Sequence, residues 1–178
     1  QPVPVPRSDG AKQAGNVRAR WGWTAPTAWT DRMLTALEQG VKGNVWFSLI
    51  DKVHSEKHLF HAAQRVLGNK GAPGVDHVTV EQFDEELLEN VRKLSKALRV
   101  GTYQPQSIRR MHIPKPGTGE TRPLGIPTVR DRVVQNALRQ VLEPIFERDF
   151  AEQSYGFRPG RGAHEALQRV EELLGSGH

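Results

Sequence analysis

The sequence predicts an α-rich α+β fold with one β-hairpin. Three observations carry that reading. Apolar residues recur at helical spacing through most of the chain, and residues that start and stop helices bracket those stretches. Only two short segments, parted by a tip bearing Pro and Gly, read as strands.

Residues 1–28 form the first region. Pro2, Pro4 and Pro6 and a lack of periodicity mark it as a flexible arm that can dock through Trp21 and Trp23. Residues 29–68 read as a helical N-terminal region. Thr30 caps a short helix carrying Met33, Leu34 and Leu37, and Gly40 stops it. Trp46, Leu49, Ile50 and Val53 then fall at i, i+3, i+4 and i+7, a helical stripe. Ser55 opens the next helix, whose buried face is Leu59, Phe60, Ala63, Val66 and Leu67.

Residues 69–178 form the third region, set off by the breaker Gly68-Asn69-Lys70-Gly71-Ala72-Pro73-Gly74. Thr79 and Gln82 make a capping box, with Val78 and Phe83 as its hydrophobic staple. The helix they open packs through Phe83, Leu87, Val91, Leu94 and Leu98, turns Arg92, Lys93, Lys96 and Arg99 outward, and ends at Gly101. Ile108–Ile113 and Thr121–Ile126 are the predicted strands, with Pro114, Pro116, Gly117 and Gly119 between them. Thr128, with Asp131 three residues on, opens the longest helix. Its core residues are Val133, Val134, Ala137, Leu138, Val141, Leu142 and Ile145, and Pro144 is expected to kink or interrupt it. Ser154–Arg161 reads as a loop, and Ala163–Leu174 as a final amphipathic helix.

The net charge of the 178 residues is +5, and its distribution is uneven. Between Arg92 and Arg132 ten Lys/Arg face only two acids, a net +8, so the rest of the chain sums to −3. A basic block on an otherwise acidic scaffold is the footprint of a polyanion binder, with a solvated basic surface as the plain alternative. The absence of cysteine excludes a disulfide scaffold and a thiolate zinc site, and fits a reducing compartment. No apolar run approaches the ~20 residues of a membrane span, and residues 1–15 lack the apolar core of a secretory signal. The expectation is a soluble, cytoplasmic protein with no membrane partner. A first residue of Gln1 rather than Met reads as a trimmed or processed chain.

Catalytic chemistry is not visible. His54, His58 and His61 suggest metal-ligand spacing, but Ser55 places His54 outside the helix, and a closed site needs about four convergent ligands. Solvated helix histidines are the expectation. Gly117-Thr118-Gly119 and Gly71–Gly74 lack the pattern of a phosphate loop. None of the seven Asp is adjacent to another, so no carboxylate pair for two-metal phosphoryl transfer can be assembled. The sequence therefore nominates no catalytic and no metal-binding residue.

A resemblance sharpens the reading. Thr121-Arg122-Pro123-Leu124-Gly125-Ile126-Pro127-Thr128-Val129-Arg130-Asp131-Arg132-Val133-Val134-Gln135 resembles the first block of group II intron-encoded reverse transcriptase/maturases. Ser154-Tyr155-Gly156-Phe157-Arg158-Pro159-Gly160-Arg161 resembles the next block, and Gly71-Ala72-Pro73-Gly74-Val75-Asp76 the one before the fingers. Trp29–Leu34 and Trp46–Asp51 are similar to the N-terminal extension of bacterial members.

The resemblance implies an incomplete right-hand polymerase fold. Residues 29–68 would be the N-terminal extension, and residues 69–178 the fingers and the start of the palm. It also implies truncation before the catalytic aspartates, since the family's first catalytic Asp and its Tyr-Ala-Asp-Asp box would follow Gly175-Ser176-Gly177-His178. The fragment alone is then expected to be inactive, with Mg²⁺ belonging to the intact enzyme only. Asn69, Lys70, Gly71, Gly74, Arg109 and Arg110 would line the template path, with Arg158 and Arg161 as exposed loop contacts. Lys115 and Arg122 would face the incoming nucleotide's triphosphate, and Thr121 stands where relatives often carry a second basic residue. Implied partners are template RNA, group II intron RNA, an RNA/DNA duplex and the remaining palm and thumb. The rival reading is a non-catalytic RNA-binding or assembly module of a split enzyme.

The residues themselves support part of this. Arginine's fork on a hairpin can grip two phosphate oxygens, or pair with the Glu85, Glu86 and Glu89 face. Gly71 and Gly74 permit close backbone approach or an ordinary turn. Tyr155 and Phe157 can stack on a base or plug the loop from beneath.

Overall fold

The computed structural model describes residues 14–41, 46 and 48–176. Its elements run α1 (Ala14–Trp21), α2 (Asp31–Gln39), α3 (Leu49–Val53), α4 (Glu56–Gly68), α5 (Val80–Glu85), α6 (Leu87–Val100), β1 (Arg109–Pro114), β2 (Thr121–Ile126), α7 (Val129–Asp149) and α8 (Ala163–Gly175). The fold is α-rich α+β, and its one sheet among the described residues is the antiparallel β1-β2 hairpin. No helix among the described residues is long and apolar enough to cross a membrane.

The chain divides into two compact units. One comprises Ala25–Trp29 and Val45–Val141. Its core brings together Leu59, Ala62, Ala63 and Val66 of α4, Phe83 of α5, Val91 and Leu94 of α6, and Val129, Val133, Val134, Ala137 and Val141 of α7. The capping box forms as expected: Thr79 N–H donates to Gln82 Oε1 at 2.9 Å, and Gln82 N–H to Thr79 Oγ1 at 3.2 Å. The helix it opens is nonetheless broken at Glu86 (φ −114°, ψ 30°) into α5 and α6. Gly101 ends α6 in the left-handed region, φ 75°.

Three expectations in this unit are corrected. His58 is fully buried rather than solvated, because its ring bridges Thr27 Oγ1 (2.8 Å) and the Ala137 carbonyl (3.1 Å). Burial, opposed by the Ala137 bond and reinforced by nearby His61, holds its pKa below the ordinary value. The stripe from Trp46 to Val53 shrinks to α3, with Ile50 exposed and Trp46 edge-on to Trp29 at 5.3 Å. Leu138 points to solvent rather than into the core. Phe47, which the same stretch includes, lies outside the described residues.

The other unit comprises the described residues within Gln1–Thr24, Thr30–Asn44 and Leu142–His178. Residues 14–28, assigned to a flexible arm by sequence, instead contain α1, and Val17 and Trp21 are buried. Trp21 donates from Nε1 to Glu38 at 3.0 Å, which ties α1 to α2. The proline-bearing residues 1–13 lie outside the described residues. Thr30 caps α2 by accepting from Met33 N–H at 3.3 Å, and Gly40 ends it with φ 92°. Pro144 is buried within α7, and the helix continues past it to Asp149. Leu142 is exposed, contrary to the predicted core, and α8 buries none of its residues.

Candidate nucleic-acid interface

The hairpin pairs Arg109 with Ile126, Met111 with Leu124, and Ile113 with Arg122 on one face. Arg110, His112 and Pro114 stand opposite Gly125, Pro123 and Thr121 on the other. Both faces are largely exposed. The strands pair in register from Arg109 to Pro114, and Lys115 N–H closes the turn by donating to Glu120 O at 2.8 Å.

The basic residues are held differently. Arg110 and Arg122 are exposed. Lys115 pairs with Glu120 across the tip at 2.6 Å, an exposed contact that a phosphate can compete for. Arg109 reaches back to the Pro73 carbonyl at 3.4 Å. None of these four touches the acidic face of α5–α6 among the described residues; there Glu89 pairs with Lys93 at 3.8 Å.

The loop after α4 is fixed from α7. Arg132 Nη2 donates to the Ala72 carbonyl at 2.9 Å and lies 3.5 Å from that of Gly71. Gly74 is buried against the start of α7, where a Cβ would come within 2.6 Å of Thr128 Cα. Its role is close backbone approach, and it is not a surface contact. Asn69 and Lys70 are exposed, and Lys70 is left-handed with φ 46°.

Sequence reasoning missed the anchor of the hairpin. Asp131 is buried, and its carboxylate accepts from Tyr103 OH at 2.6 Å and Gln106 N–H at 2.9 Å. Its own N–H donates to Thr128 Oγ1 at 3.1 Å, so one residue closes the cap and clips the incoming strand. Burial pushes its pKa up, but the bonds from Tyr103, Gln106 and Thr128, with Arg130, outweigh that and hold it below the ordinary value. Tyr103 shifts the other way, raised by burial and by the carboxylate it faces. Arg130 stacks on Tyr103 at 5.3 Å and donates to the Gln104 carbonyl at 2.7 Å. The local signal for this cluster was only the Asp at N3; its partners lie 25 to 28 residues away.

In the other unit, the 154–161 loop departs from expectation. Arg158 is buried, gripping Glu147 (2.7 Å) and the carbonyls of Ala151 (2.8 Å) and Ser154 (2.7 Å), with its guanidinium over Phe150. It is a loop clasp, because a planar fork with five donors fits inward-facing carbonyls. Arg161 is half-buried, donates from Nη1 to the Glu152 and Ser154 carbonyls, and lies over Tyr155 at 5.7 Å. Phe157 is fully exposed in a left-handed conformation, φ 59°, so it does not plug the loop.

These blocks have counterparts in known proteins. Residues 113–176 match the family described as reverse transcriptase (RNA-dependent DNA polymerase). Protein YkfC of Escherichia coli (strain K12) is 39% identical over 158 residues, which is 88% of this chain and 37% of that protein. The group II intron-encoded protein LtrA of Lactococcus lactis subsp. cremoris is 42% identical over 116 residues, 64% of this chain and 19% of that protein. Nuclear intron maturase 2, mitochondrial, of Arabidopsis thaliana is 51% identical over 41 residues, 23% of this chain and 6% of that protein. Residues 113–176 therefore carry the pattern of the reverse transcriptase class. Within that class, the chain is similar to a fragment of the group II intron-encoded reverse transcriptase/maturases. It spans well under half the length of the relatives above.

Proposed function

We propose that this chain is the N-terminal, RNA-binding fingers portion of an RNA-directed DNA polymerase and intron maturase, and that alone it binds RNA without polymerising DNA. The observation that carries the reading is the pair of exposed Arg122 and half-buried Lys115 on a hairpin within the stretch matching reverse transcriptases. Phosphates are the ligand such a hairpin suits. Arg122 offers a bidentate fork, and Lys115 exchanges Glu120 for a phosphate oxygen. In this reading Asn69, Lys70, Arg109 and Arg110 border template RNA, and Lys115 and Arg122 reach the nucleotide's triphosphate. The wider partners are group II intron RNA and the remaining palm and thumb, in a cytoplasmic setting.

Reverse transcriptases use Mg²⁺, but the described residues hold no group of three His, Cys, Asp or Glu able to bind a metal. The described residues alone form no site for that ion. A second reading, an assembly module of a split enzyme, is favoured by α8, whose Leu167, Val170 and Leu174 stay exposed.

Two assays test the proposal. Neutralising about four to six phosphates gives a log K against log salt slope of about −3 to −5. A binding constant flat in salt contradicts it. Primer extension with Mg²⁺ or Mn²⁺ should stay at background, and template-dependent extension surviving repurification contradicts the non-polymerising half.

A further inference from the structure

A cleft in the unit built from α1, α2 and the C-terminal residues is unclaimed by the hairpin reading. It has a volume of about 490 Å³ and is lined by Arg20, Trp21, Trp23, Glu147, Arg158 and Arg161, with Pro159 and Gly160. That volume lies in the range of ligand cavities, about 300–1,000 Å³. We infer that this cleft is a nucleotide-binding subsite: one unpaired RNA base stacks on Trp23, and the adjoining phosphate is held by Arg20 and Arg161. The inference rests on the RNA-binding reading above.

The lining supplies both recognition elements of an unpaired nucleotide, a π-face and fixed cations. Trp21 is buried and anchored by Glu38, and it buttresses Trp23, whose ring centroid lies 5.8 Å away at a 46° tilt. Trp23 is half-buried, so its remaining ring surface faces the cleft. Arg20 stacks over Trp21 at 5.2 Å and is largely exposed, its ion pair to Glu38 being a loose 3.5 Å.

Arg161 is positioned by carbonyl contacts through Nη1 and by Tyr155, which leaves its Nε and Nη2 without a partner among the described residues. The single acid in the wall, Glu147, is neutralised by Arg158. The cleft is therefore net positive, which suits a phosphodiester over an acidic or apolar peptide.

The test is a titration of the full chain with a fluorophore-labelled single-stranded RNA, run on the parent, Trp23→Phe, Trp23→Leu and Arg20→Ala. Losing one stacked base should weaken binding by about 5- to 150-fold in Trp23→Leu, while Trp23→Phe retains most of it. Arg20→Ala, at an exposed position, should fold normally and lower the salt slope by about one unit. If Trp23→Leu and Arg20→Ala bind RNA as the parent does, while Lys115→Ala/Arg122→Ala loses it, the subsite is overturned, the fingers reading stands, and the cleft is left to a protein partner. If the parent binds no RNA, both fall together.

Discussion

Gly74 lies so close to Thr128 that a Cβ on the glycine would stand 2.6 Å from the Thr128 Cα and 2.7 Å from its backbone nitrogen. The neighbour is backbone at the start of α7, which cannot swing aside. Gly74→Ala should destabilise the chain by about 1–3 kcal/mol, the range for overpacking. Gly119→Ala, at a hairpin tip with open space around it, should stay within about 0.5 kcal/mol. Urea unfolding of both variants checks the pair.

The Tyr103–Asp131 bond should govern stability at both ends of the pH range. Asp131 has a folded pKa below its ordinary value, so its contribution is present above about pH 4 and is lost as pH falls through the folded value. Tyr103 has a raised folded pKa, so its contribution is present below about pH 10 and is lost as pH rises beyond it. Tyr103→Phe should cost about 1–3 kcal/mol at neutral pH, by leaving a buried carboxylate short of a donor. It should also flatten the alkaline limb. Thermal melts across pH provide the measurement.

His58 adds a third window. Its folded pKa lies below 6.5, so the unfolded chain takes up the proton first and stability falls as pH drops below about 6.5. His58→Gln should remove that slope between pH 7 and 5. A stability curve unchanged by the substitution would mean that His58 titrates as a solvent-exposed ring.

Arg158 is predicted to matter for folding more than for RNA. Hydrogen bonds to charged groups are worth about 1.5–3 kcal/mol, and this guanidinium makes several, to Glu147 and to loop carbonyls. Arg158→Ala should lower the unfolding midpoint clearly. At a temperature where the variant is still folded, RNA binding should weaken only through the cleft, where Glu147 loses the cation that neutralises it.

What the sequence made legible was local. Thr79 and Gln82 are three residues apart, Gly101 follows its helix directly, and the hairpin strands flank their own tip. Each rests on geometry that a short window contains. What it hid depends on partners far along the chain. His58 looked solvated until Ala137, 79 residues on, supplied its acceptor. Arg158 looked like an exposed loop contact because nothing local shows that carbonyls converge on it. Leu138 and Leu142 fit a helical stripe, yet a 21-residue helix can turn only part of its circumference inward at each level. The break at Glu86 interrupts a continuous apolar stripe, so periodicity alone could not reveal it.

The central claim is that the hairpin's cations hold RNA phosphates, and its most direct measurement is RNA affinity against salt for Lys115→Ala/Arg122→Ala. Both residues lie outside the cores, so the double variant should melt close to the parent, within about 0.5 kcal/mol per site. Its RNA binding should weaken, and its salt slope should shrink by about 1–2, roughly one unit per lost phosphate contact. Arg65→Ala, exposed on α4 outside the basic block, should change neither. A double variant that folds and binds RNA with the parent's affinity and slope would contradict the account.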